Sequence, residues 1–137
     1  MDQRISFVTL AVRDLARSHA FYVDGLGWSP EMYVAGEVLM LKVGPHVVLS
    51  LWDRAAFAAE VGEPLNGPGV PPVTLAHNVA TREEVDEVLA TMQAAGAEVS
   101  EPAEREWGGY TGYAADPDGF RWEIAWNPGE IGQTVLP

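Results

Sequence analysis

The tetrapeptide Val8-Thr9-Leu10-Ala11 returns letter for letter as Val73-Thr74-Leu75-Ala76, and the order of elements after each copy returns with it. Residues 5–12 (I-S-F-V-T-L-A-V) are rich in β-formers. Asp14 then stands where a helix N-cap belongs, with Leu15, Ser18, Phe21, Tyr22 and Leu26 near helical spacing and Gly25 and Gly27 as the stop. Short strands are expected over 28–33, 37–43 and 47–52, the last two turned at Gly44-Pro45-His46. After the second copy, Thr81 and Glu84 form a capping box, and Val85, Val88, Leu89 and Met92 recur on one helical stripe that Gly96 ends. Glu98-Val99 and two aromatic arms, 110–115 and 120–126, follow. The arms meet at Asp116-Pro117-Asp118-Gly119, where proline presets φ, aspartate bonds its own backbone and glycine accepts positive φ. The chain therefore reads as an α+β fold: two βαβββ modules building a curved mixed sheet with helices outside.

The expected organisation is one domain over 1–137, with a first module over about 4–52 and a second over about 73–127. The linker between them, about 53–72, opens with a short alanine-rich helix over 53–62. It continues through 63–72, where four prolines and two glycines exclude regular structure. Residues 128–137 form a tail. A net charge of −12 argues against nucleic acid or an anionic membrane as partner. The chain has no cysteine, and hence no disulfide or thiolate ligand, so a cytoplasmic home is expected. No signal-peptide pattern opens the sequence, and no apolar run approaches a membrane span.

Strand alternation sorts the side chains by face. On the first strand Val8, Leu10 and Val12 suit the helix side, leaving Phe7 and Thr9 for the hollow. Ser50 and Trp52 fall on the hollow side of the strand before the linker, and Thr74 and Asn78 on that of the strand from Val73. From the last hairpin Trp107, Tyr110, Tyr113, Arg121 and Glu123 are expected to join them. Together these residues make an aromatic-lined small-molecule site with one carboxylate, Glu123, as candidate catalytic acid or base. Trp107-Gly108-Gly109-Tyr110 reads either as a hinged flap or as a bulged edge strand. His19, His46 and His77 do not converge in this reading.

The stretch V-T-L-A-V-R-D-L-A-R-S-H-A-F-Y-V-D-G-L-G-W resembles the opening βα unit of the vicinal oxygen chelate superfamily, which contains glyoxalase I, bleomycin-resistance proteins and extradiol dioxygenases. The closing D-P-D-G-F-R-W-E-I resembles that superfamily's second-module ending. The resemblance implies the paired-module fold and a homodimer. It also implies four metal-ligand positions, which fall here on Phe7, Ser50, Thr74 (or Pro72 by the repeat register) and Glu123. Only Glu123 is a ligand type the superfamily uses, so neither a metal nor another cofactor is expected. The function expected is that of a glyoxalase/bleomycin-resistance-like protein holding an aromatic or cationic small molecule, for drug or metabolite sequestration. The alternative is a metal-free lyase, isomerase or cyclase using Glu123. A metal-dependent glyoxalase or dioxygenase ranks behind both.

Overall fold

A computed structural model describes residues 1, 3–64 and 67–137, so Leu65 and Asn66 of the expected linker lie outside the described residues. The chain divides into two compact units, Met1–Pro68 and Gly69–Pro137. Among the described residues no helix is long and apolar enough to cross a membrane.

In the first unit β1 (Phe7–Val12) leads into α1 (Leu15–His19), whose N-cap Asp14 accepts from the amides of Ala16 and Arg17. The helix then widens into a π-type segment, Ala20–Gly25, closed by Leu26 N–H donating to the Phe21 carbonyl. This wider turn was not expected from the sequence. It lets consecutive Phe21 and Tyr22 both be buried, their rings edge to face at 4.9 Å, with Trp28 5.5 Å from Tyr22. The strands β2 (Pro30–Val34), β3 (Val38–Gly44) and β4 (Val47–Asp53) complete a sheet of order β1-β4-β3-β2. Here β1 and β4 run parallel and the other pairs antiparallel. Leu10, Val12, Leu39, Leu41, Leu49 and Leu51 alternate onto one face and are buried there as this unit's core. Asp53 caps α2 (Arg54–Glu60).

The second unit repeats the plan. The strand β5 (Thr74–Val79) precedes α3 (Arg82–Ala94), whose capping box is complete: Glu84 N–H donates to the Thr81 hydroxyl and Thr81 N–H to the Glu84 carboxylate. After it come β6 (Glu98–Val99), β7 (Ala103–Glu104), β8 (Tyr110–Ala115) and β9 (Arg121–Trp126). The order is β5-β9-β8-β6, with β5 parallel to β9 and β7 pairing with β8. The two-residue β7 was not foreseen, because Glu101-Pro102-Ala103-Glu104 reads as a charged loop. The stretch read as a tail carries a short helix, α4 (Glu130–Gln133). Val85, Leu89 and Met92 of α3 pack on Trp122 and Ile124, all buried. Gly112 faces the same helix, and a Cβ there would sit 2.5 Å from Leu89 Cδ1, so the absence of a side chain is what admits the leucine.

The turn between β8 and β9 is held by one side chain. Asp116 Oδ1 accepts from the amides of Asp118 and Phe120, each at 2.9 Å, and Gly119 takes φ +88°. Replacing Asp116 by Ala strips both amides of that acceptor and is expected to cost about 1–3 kcal/mol. Asp116→Asn should recover much of the loss, read as the difference between the two melting curves.

Tyr110 lies on the helix side of β8, its hydroxyl donating to Asp86 Oδ1 at 3.0 Å. Burial first, then this bond and the charge of Asp86, raise its pKa above the usual 10.0. The stability it contributes is present below that value and lost as pH rises through the folded-state value. Tyr110→Phe should cost about 0.5–1.5 kcal/mol at neutral pH and flatten the alkaline limb of a denaturant-midpoint series.

Candidate functional site

Each unit buries one face of its sheet under a helix, and the opposite faces carry the candidate residues. In the first unit the register sets Thr9 beside Ser50 and Ala11 beside Trp52, with Phe7 one pair further along beside Val48. Met40 lies across from Ser50 on the other side. Phe7, Thr9, Ser50 and Trp52 thus share a face, as alternation requires. Their environments differ. Phe7 is 54% exposed, whereas Ser50 is 1% exposed and its hydroxyl has no hydrogen-bond partner among the described residues. Trp52 packs against α2, its ring 6.4 Å from that of Phe57.

In the second unit Thr74 pairs with Arg121, Ala76 with Glu123 and Asn78 with Ala125, while β8 sets Tyr113 beside Glu123. Thr74, Asn78, Tyr113, Arg121 and Glu123 therefore share the face away from α3. The Tyr113 hydroxyl donates to Glu123 Oε1 at 3.4 Å, so the half-buried carboxylate has a phenol as neighbour.

Two expected members do not join that face. Tyr110 stands three residues from Tyr113, an odd spacing that sends it to the opposite face and onto Asp86. Trp107 lies in the tight turn joining β7 to β8, is 53% exposed, and lays its ring over Gly109. That turn is closed by Gly108 N–H to the Arg105 carbonyl and by Arg105 N–H to the Gly109 carbonyl, each at 2.8 Å. Residues 107–109 form the tip of a hairpin whose second strand opens at Tyr110, with Gly108 at φ +90°.

One residue absent from the sequence reading does reach the face. Arg105 Nε donates to Thr111 Oγ1 and Nη2 to the Thr111 carbonyl at 3.2 Å, with the guanidinium carbon 5.7 Å from the centre of the Tyr113 ring. Its signal in the sequence was its being the one base in the acidic stretch from Glu98 to Glu106.

Pro72 lies before β5, whereas Thr74 is its first residue. Phe7 stands two residues before the partner of Ser50, and Thr74 stands two before the partner of Glu123, so Thr74 is the counterpart of Phe7. Phe7 has no donor atom, Ser50 and Thr74 are neutral hydroxyls, and Glu123 alone is charged. A divalent ion needs several oxygen or nitrogen donors to repay its dehydration, so these positions do not fit the metal they would hold by resemblance. Among the described residues no three His, Asp or Glu side chains gather elsewhere. His19 lies 3.6 Å from Asp24 and 4.6 Å from the Tyr33 ring, His46 sits in a turn, and His77 is exposed on the helix side of β5.

Against known proteins, none of the curated proteins matches the chain. Among solved structures, a glyoxalase-related enzyme from Fulvimarina pelagi is 34% identical, with a TM-score of 0.83 over 92% of this chain and 89% of that one. A glyoxalase/bleomycin resistance protein/dioxygenase from Nocardioides is 27% identical, with a TM-score of 0.77 over 95% and 90%. A lactoylglutathione lyase from Agrobacterium tumefaciens is 25% identical, with a TM-score of 0.70 over 92% and 95%. The family model for the Glyoxalase/Bleomycin resistance protein/Dioxygenase superfamily matches residues 4–124, and the chain belongs to that superfamily.

Proposed function

We propose that this chain binds a small organic molecule, planar or aromatic, without the divalent metal that many members of its superfamily hold, and so acts in drug or metabolite sequestration. The observation that carries the reading is the chemistry of the four ligand positions: of Phe7, Ser50, Thr74 and Glu123 only Glu123 is charged, and the phenol of Tyr113 hydrogen-bonds it. Phe7 and Trp52 in the first unit, and Tyr113 in the second, each offer a ring on which a flat molecule can stack, and Glu123 favours a ligand that presents a hydrogen-bond donor or positive charge. On this reading the two modules are one domain, and the protein is a cytoplasmic homodimer. The exposed edge strand β2, with Met32, Tyr33 and Val34 each at least 38% accessible, supports the pairing with a second copy.

The second reading is catalysis by Glu123 as general acid or base near a carbonyl, as in a metal-free isomerase, cyclase or lyase. Its support is the same Tyr113–Glu123 bond, which couples a proton carrier to a phenol able to steady a developing oxyanion.

Metal content and tryptophan fluorescence test the proposal together. The purified protein is expected to hold well under one equivalent of Zn, Ni, Mn or Fe, and aromatic amines should change its emission saturably. Glu123→Gln should weaken amine binding by about tenfold. A stoichiometric, tightly held metal would sink the metal-free reading. For any compound found to turn over, Glu123→Gln should slow the reaction by about 100-fold or more if the second reading holds, and an unchanged rate removes it.

A further inference from the structure

We infer that Arg105 is the anion-recognition residue of the second unit's open sheet face, and that the ligand is a small organic acid whose carboxylate it takes. The inference rests on the ligand-binding reading above and adds the ligand's chemical class.

Arg105 is half-buried on a protein of net charge −12, and among the described residues no carboxylate pairs with it. Of its two flanking acids, Glu104 points to the helix side and binds Arg82 at 3.0 Å, and Glu106 makes no ion pair with it among the described residues. A partly exposed guanidinium with no carboxylate on it keeps its charge for an external anion. The group is also fixed in place. Thr111, fully buried, receives Nε and Nη2, and the Tyr113 ring lies beneath the cation. Those bonds occupy the Nε side of the fork and leave the outer edge, one hydrogen each of Nη1 and Nη2, to donate to a planar carboxylate. Arg121, on the same face, has no such tether among the described residues. A cation whose orientation is already set loses little entropy on binding, so Arg105 is the better receptor.

The arrangement has two poles. Arg105 and Glu123 both contact Tyr113, the first against its ring and the second at its hydroxyl. A ligand spanning this tyrosine meets positive charge at one end and a carboxylate at the other. The class that satisfies both is a flat acid bearing a hydrogen-bond donor at its far end, such as an aminoaryl carboxylic acid.

The test is a chemical-shift titration of the isotope-labelled protein with 4-aminobenzoate and benzoate, set against 4-aminobenzamide and benzamide. The acids should shift the Arg105 Nε–H signal and the amides of Gly109, Thr111 and Tyr113, and bind about tenfold or more tighter than the matched amides. Arg105→Gln should abolish that preference, and Arg105→Lys should retain part of it, since a point charge remains without the fork. If Arg105→Gln does not fold, the acid–amide comparison in the unaltered chain decides the matter without a variant. Amides binding as tightly as the acids at Tyr113 would overturn the anion assignment and leave the small-molecule reading standing. Acids whose shifts map away from residues 105–113 would overturn it equally. If neither acids nor amides bind, and the aromatic amines leave the fluorescence unmoved, both readings fall.

Discussion

Parallel pairing of the first strand of each unit with its last, β1 with β4 and β5 with β9, is the constraint on which the rest depends. Parallel neighbours cannot be joined by a tight turn; the chain must leave the sheet, cross one face through a helix, and come back. That requirement places α1 and α3, and it makes each sheet one-sided. One face is filled with leucine, valine and tryptophan under a helix, while the other is free to carry mixed chemistry. It also locks register, since a slip of one residue would carry Leu10 and Leu51 out of the core and Thr9 and Ser50 into it. The polar groups opposite the helices are thus held in place by the packing of their neighbours.

Chemistry on the open faces is divided unequally between the units. In the first, the central polar atom is the hydroxyl of Ser50, buried and without a partner among the described residues, beside Thr9 and Met40. In the second, charge predominates: Glu123 on its strand, Arg105 reaching in from a hairpin, and Tyr113 touching both. Hydrogen bonding and charge of this kind are steep discriminators compared with apolar contact.

Much of this was legible in the residues, and the parts that were not share a cause. The Thr81–Glu84 box and the Asp116-Pro117-Asp118-Gly119 turn are local signals, each with a mechanism spanning a few residues, and the structure reproduces them. The repeated Val-Thr-Leu-Ala marks the opening strand of each unit, but its two copies stand two residues out of register with the strand pairing. Period-two alternation was enough to put Thr9 with Ser50 and Arg121 with Glu123. It also carries the correction to Tyr110, whose odd spacing from Tyr113 puts the two rings on opposite faces. The π-type turn at Ala20–Gly25 was out of reach, because its wider bonding serves the burial of Phe21 and Tyr22 against the sheet. Arg105 was missed for a related reason. Its place depends on β7, a strand of two residues that exists only because β8 offers it an edge.

That short strand separates two demands that proteins often set against each other. The β7–β8 turn hangs from the sheet by the pairs Ala103–Thr111 and Glu104–Tyr110, whereas the core of its unit is built from α3, β8 and β9. Changes in the length or composition of that turn can move Arg105 while the packed leucines and tryptophan stay as they are. The hairpin can therefore vary in this chain with little toll on folding, a freedom the helix-covered strands do not share.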